Sequence, residues 1–161
     1  RNVRGGTFQP GLQSISTHAL FRGAVPATPD GRTQDALLAD GGISPAQGRD
    51  RCGPTAVIRS AARLDQRAAS NGALLNLKLS RDCVAGEGGT DRLIALVIAY
   101  FGLGGQHIQF NVVDTGTLRD AQAHPENYPN LLVRVAGFSV LFTAIDKVLQ
   151  DDVIARTEHS L

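Results

Sequence analysis

From Arg1 to about Asp50 the sequence sustains neither a helical nor a strand period, and Gly and Pro recur throughout it. Thr28-Pro29-Asp30-Gly31-Arg32 reads as a turn, because Pro presets one dihedral and Gly accepts a positive φ. Gly41-Gly42-Ile43-Ser44-Pro45 is a second break. An irregular stretch of this length is rare inside an isolated compact domain, so it is expected to line a larger body. The chain starts at Arg1 and contains no Met, so it is expected to be a processed product, an excised segment or part of a longer sequence.

Order improves after residue 50. Pro54–Ala69 reads as a helix, with Pro suited to its first turn and Ile58, Ala61, Ala62 and Leu64 near one face. Ser70-Asn71-Gly72 ends it. Leu75, Leu77 and Leu79 alternate with Asn76 and Lys78, which predicts a strand with one buried face. A helix capped by Thr90 runs to Phe101, with Gly102 just past its end; it is apolar nearly all round and expected to be deeply buried. Gln106–Val113 is a second strand, with Ile108, Phe110 and Val112 on one face. Thr117–Ala123 reads as a short helix and 125–130 as a polar loop. Leu131-Leu132-Val133-Arg134-Val135 is an apolar run that breaks at Ala136-Gly137. Ser139 to about Thr157 has helical spacing, interrupted only by Asp152. The pattern is mixed α/β.

Composition narrows the function classes. Hydrophobic residues at 42% and charged residues at 19% supply a core and exclude general disorder. A net charge of +1, with Lys and Arg spread along the chain, gives no footprint for nucleic acid or an anionic membrane. The longest apolar run, Leu93–Phe101, is too short for a membrane span. The first six residues lack a signal peptide's apolar core. Cys52 and Cys83 form no CxxC pair and read as ordinary free thiols, which fits a reducing cytoplasm. His18, His107, His124 and His159 have no ligand spacing, so no metal site is expected. His107 reads as a hydrogen-bonded structural histidine. Gly102-Leu103-Gly104-Gly105 follows a helix and precedes a strand, the reverse of a phosphate loop, and reads as a turn.

Arg134-Val135-Ala136-Gly137-Phe138-Ser139 resembles the radical-site signature of glycyl radical enzymes, Arg-Val-(Ser/Ala)-Gly-(Tyr/Phe). Gln106–Val113, Thr117–Gln122, Pro125–Tyr128 and Asp151–Glu158 resemble the family's flanking segments. Upstream, Pro29–Arg32, Leu38–Pro45, Gly53–Ala56 and Ala69–Gly72 resemble its dehydratase-like branch, so the resemblance covers nearly the whole chain. Physical chemistry explains the glycine. An unpaired electron on a backbone Cα delocalises onto the two adjoining amides only if that carbon is planar, and a Cβ would then clash with the flanking peptide groups. A lone Gly after an apolar run is otherwise a turn or bulge.

The resemblance implies part of a strand barrel wrapped by helices, with the radical loop in its centre. Residues 1–50 then belong to the larger catalytic domain, and 51–161 form the glycine radical domain. Gly137 is the implied radical carrier; Arg134, Val135, Ala136, Phe138 and Ser139 support its loop. Arg134 is expected to anchor the loop through its planar fork to a carboxylate or carbonyls, or to lie in solvent, and Phe138 to wedge the loop into the core. The implied partners are a radical-SAM activating enzyme, which uses S-adenosylmethionine and an iron–sulfur cluster, the remainder of the catalytic chain, and a second copy in a homodimer. No cofactor is implied to bind this chain itself. The catalytic cysteine and the substrate groups are implied to lie outside it, since neither Cys52 nor Cys83 matches. The loop must swing out to meet the activase, with its hinge expected at 125–130. The implied activity is a lyase, most simply a dehydratase of small diols or polyols. A decarboxylase or carbon–carbon lyase would share the same residues, as would a spare-part protein that repairs an oxygen-cut partner. An interaction domain without the radical remains a further alternative.

Overall fold

The computed structural model describes residues 1–29 and 31–161. The element order is α1 (Thr17–Leu20), α2 (Pro54–Ala61), β1 (Asn76–Leu79), α3 (Arg81–Val84), α4 (Gly89–Gly102), β2 (Gln109–Val112), α5 (Thr115–Ala123), β3 (Leu132–Arg134), β4 (Ser139–Leu141), α6 (Lys147–Ala155) and β5 (Glu158–His159). β1 lies between β2 and β5 and runs parallel to both. β3 and β4 form a separate antiparallel hairpin. The expected mixed α/β character holds, and among the described residues of the first fifty the only helix is the single turn of α1. In the turn expected near residue 30, Gly31 has φ +90° and donates to the Thr28 carbonyl; Asp30 lies outside the described residues.

Two apolar cores flank the sheet. Leu75 and Leu77 pack with Val57, Ile58, Ala61, Leu96 and Tyr100 on one side. The second core joins Val113, Leu118, Ala121, Val133, Phe142 and Val153, from α5, the hairpin and α6. Side chains as fully buried as Leu75 each stabilise the fold by about 1.5–3 kcal/mol.

Several expectations are corrected. The helix begun at Pro54 stops at Ala61, not Ala69. The buried Gln66 side chain folds back to donate to the Ala61 carbonyl and the Tyr100 hydroxyl, capping a helix end that would otherwise run on. The expected tail helix starts only at Lys147, where Asp146 accepts from the Leu149 N–H as an N-cap; Ser139–Leu141 is strand instead. The helix capped in expectation by Thr90 begins two residues earlier, at Gly89 with Gly88 as its cap, and takes in Gly102 as its last residue. It is not deeply buried: Leu96 and Tyr100 face the core, but Ile94, Ile98 and Phe101 stand exposed on the outer side.

The predicted one-sided strands are covered on both faces. Asn76 and Lys78 are as buried as the leucines between them, and in β2 it is Gln109 and Asn111 that are buried. The helices and loops on either side explain this, since a parallel sheet is normally covered on both faces. The face opposite the leucines meets α6 and the β3–β4 hairpin.

Candidate functional site

Arg134 and Ser139 pair at the top of the hairpin, leaving Val135-Ala136-Gly137-Phe138 as its tip. Gly137 has φ +84°, in the left-handed region that favours glycine. A Cβ there would sit 3.4 Å from the Leu74 Cδ1. Val135 and Ala136 are buried, whereas Gly137, Phe138 and Ser139 are exposed in this chain. Phe138 therefore does not wedge the loop into the core: the tip turns past Ala136, so its ring projects outward.

The tip is held from below by polar side chains. The Asn111 amide donates to the Arg134 carbonyl at 2.8 Å and accepts from the Arg134 N–H at 2.7 Å. Asn76 donates to the Val135 carbonyl at 3.1 Å, while the Val135 N–H donates to the Phe138 carbonyl. Asn76 also donates to Asp40 at 2.5 Å and accepts from the Gln109 amide. Arg134 is anchored rather than solvated. Its Nε and Nη2 donate to Gln109 Oε1 at 3.0 and 2.8 Å, and Nη1 reaches the Ser139 hydroxyl at 3.2 Å. The partner is thus an amide oxygen in place of the expected carboxylate or carbonyls.

Beneath this layer lies a buried charge cluster. Arg156 bonds the Arg134 carbonyl at 3.2 Å, Asp40 at 3.2 Å and Asp152 at 2.7 Å. His18 Nε2 lies 3.2 Å from Asp152, and Gln47 donates to its other oxygen. Burial pushes the Asp40 carboxyl up, with the Asp152 charge adding to it; Arg156 and the Asn76 amide offset this only in part. Asp152 moves the other way. Burial would raise it, but the His18 hydrogen bond and Arg156 outweigh burial and hold it below the usual carboxylate range. Asp152 is thus the polar member that pins α6 to the site.

The irregular first fifty residues supply His18, Asp40, Ser44 and Asp50 to this layer and to the neighbouring His159 contact. Gly42, at φ +118°, lies so close to Leu12 that a Cβ would collide with the Leu12 carbonyl, and it bridges to Leu74. The His107 Nδ1 is buried and has no hydrogen-bond partner of ordinary geometry among the described residues, and burial together with the Arg134 charge pushes the imidazole down against its own backbone's pull. Cys52 is exposed and Cys83 buried, its thiol donating to the Ser80 carbonyl. Among the described residues no group of His, Cys, Asp and Glu could hold a metal ion, and no helix is long and apolar enough to cross a membrane.

Sequence reasoning missed Asn76, Gln109, Asn111, Asp40 and Arg156. The available signal was polar amides at alternate positions of two otherwise apolar strands, together with the acidic break at Asp152.

A family model described as glycine radical matches residues 39–143, a span that includes the hairpin, the strands beneath it and Asp40. The chain belongs to the glycine radical family. Among the relatives of this family it is 46% identical over its whole length to the probable dehydratase YbiW of Escherichia coli (strain K12), of which it covers 20%. It is 44% identical over 91% of its length to an indoleacetate decarboxylase of Tractidigestivibacter scatoligenes, covering 16%. The B12-independent glycerol dehydratase of Clostridium butyricum, in its glycerol-bound form, superposes with a TM-score of 0.96 at 47% identity, over all of this chain and 20% of that one. The chain spans about a fifth of the length of the curated relatives it matches, and its mixed α/β fold is that of the corresponding fifth of a solved glycyl radical enzyme.

Proposed function

We propose that this chain is the radical-storing segment of an anaerobic glycyl radical lyase, with Gly137 holding the unpaired electron. The observation that carries the reading is the placement of Gly137. It stands exposed, at positive φ, on a tip whose neighbours Arg134 and Val135 are bound from the sheet at the Arg134 N–H and at both carbonyls. Arg134, Val135, Ala136, Phe138 and Ser139 carry and orient it.

A radical-SAM activating enzyme, with S-adenosylmethionine and an iron–sulfur cluster, removes one hydrogen atom from the Gly137 Cα. The glycyl radical then takes a hydrogen atom from a cysteine thiol outside this chain, leaving a thiyl radical to act on substrate, and the hydrogen returns when the cycle closes. Transfer between the two needs a separation of roughly 3–3.5 Å, so the exposed tip is the end that meets the rest of the protein. Residues 1–50 line that larger catalytic body, 51–161 form the glycine radical domain, and the exposed turn at 125–130 is the hinge.

The relatives favour a dehydratase of small diol or polyol substrates. The indoleacetate decarboxylase supports a second reading, carbon–carbon cleavage on the same radical apparatus. The partners are the activase, the remainder of the catalytic chain and a second copy, in the cytoplasm.

Electron paramagnetic resonance after anaerobic incubation of the full-length protein with a competent activase and S-adenosylmethionine tests the proposal. The expected result is a glycyl doublet that is absent from Gly137→Ala, followed by cleavage at Gly137 on exposure to air. No doublet, or an intact mass after air, overturns it.

A further inference from the structure

We infer that Asn111, backed by Arg156, is the positioning residue that docks the Gly137 tip, a role that rests on the radical reading above. β3 has two backbone edges. One pairs with β4, and the other faces β2, but the two strands belong to separate sheets. The Asn111 amide takes the place of the missing ladder by both donating to and accepting from Arg134. Arg156 takes a second place on the same carbonyl, and Asn76 takes the carbonyl of Val135. These four side-chain-to-backbone bonds hold the inner edge of the tip.

The two apolar cores lie elsewhere. Val133 and Phe142 fix the base of the hairpin in the α5–α6 core, whereas at the tip Val135 and Ala136 are buried outside both cores and Gly137, Phe138 and Ser139 are exposed. The two apolar cores are thus separated by a polar layer at the level of the tip. Each such bond contributes a modest net stabilisation, because water replaces it when it breaks. The tip therefore undocks about its apolar base without tearing either sheet. Asn111, bonded twice to one residue, carries the largest share of that balance. The docked fraction sets how accessible Gly137 is to an activase and to oxygen.

The test compares Asn111→Ala with Gln66→Ala in the full-length protein. Gln66 is buried on the opposite side of the sheet and bonds Ala61, Tyr100 and Gln106, so its loss destabilises without touching the hairpin. Amide exchange at the Arg134 N–H and over the tip residues 135–139 should rise on the order of tenfold in Asn111→Ala, with 75–79 and 109–112 still protected, and should not rise selectively in Gln66→Ala. In Asn111→Ala the glycyl doublet should also build faster and be lost faster to oxygen. Unchanged hairpin exchange, or an equal rise in both variants, overturns the inference. If Asn111→Ala fails to fold, Arg156→Lys keeps the charge facing Asp40 and Asp152 while losing the Nη1 bond to the Arg134 carbonyl; unaltered exchange there is equally fatal. An unmodified protein that gives no doublet sinks the radical reading alone, since amide exchange still judges the dock.

Discussion

Lys78 and Glu158 lie in register on adjacent strands yet meet only through Thr115, whose hydroxyl accepts from Lys78 Nζ at 2.9 Å and donates to Glu158 Oε2 at 2.8 Å. The remaining contact of the ammonium is the Ile154 carbonyl at 3.0 Å. A buried cation with no direct carboxylate partner among the described residues is costly, and burial lowers its pKa from 10.5 to about 8, with Glu158 opposing and Arg156 adding to the shift.

That shift has a definite sign. Below pH 8 the folded and unfolded chains both hold the proton. Between about 8 and 9.5 the folded chain releases it while the unfolded chain keeps it, so stability rises with pH across this window by about 1–2 kcal/mol. Unfolding midpoints measured from pH 7.5 to 9.5 should rise in the unmodified protein relative to Lys78→Met, which removes the titrating group at similar volume. Parallel curves for the two would refute the assignment.

The carboxylates around Arg156 should respond oppositely to isosteric neutralisation. Asp152 is held below its usual range, so its charge stabilises the fold at pH 7 and the gain is lost as pH falls below about 4 through its folded value. Asp40 is raised, so its charge opposes folding at neutral pH and the penalty is relieved on acidification. Asp152→Asn should therefore cost several kcal/mol at pH 7, in line with breaking a buried pair, and Asp40→Asn at most about 1. Chemical denaturation of the two variants decides; equal losses would contradict the asymmetry.

Gly137→Ala should fold. Alanine at φ +84° costs about 1–2 kcal/mol, and the Leu74 methyl 3.4 Å from the new Cβ has room to yield. Loss of the doublet in this variant then reports chemistry. Circular dichroism melts should show only that small loss; a collapse of more than about 3 kcal/mol would mean that the variant reports misfolding instead.

The outer face of α4 carries Ile94, Ile98 and Phe101 at helical spacing, each about half exposed or more, with Leu103 beside them. The isolated chain is expected to self-associate. The pair Ile94→Glu and Ile98→Lys should shift its sedimentation toward monomer. A monomeric, cooperatively melting unmodified chain would count against the expectation.

Much of this structure was legible before any coordinates. The break at Ala136-Gly137 is the hairpin tip, α5 begins two residues from its expected start, and Gly104 and Gly105 close the turn after α4 by bonding Phe101 and Tyr100. What alternation misread was solvent. Asn76, Lys78, Gln109 and Asn111 look like the wet face of two strands, and only packing by the hairpin, α6 and the first fifty residues makes them interior. Period cannot reveal this, because it reports which side chains share a face and not what lies opposite. The end of α2 failed for a related reason: the Gln66 side chain that caps it gains its value from Tyr100, a residue of another helix.

The hairpin pairs residues close in sequence, Leu132 with Leu141, whereas β1 must wait for a neighbour as distant as Glu158. Hairpins close in microseconds and remote parallel pairings far more slowly. During synthesis the hairpin bearing Gly137 therefore closes while Arg156 and β5, which complete the layer beneath it, are still to come, and φ-values close to one at Val140 and close to zero at His159 would record that order. On the radical reading proposed above, a nascent chain thus passes through an interval in which the carbon that would carry the electron is formed but not fully sheltered, harmless because no radical has yet been placed there.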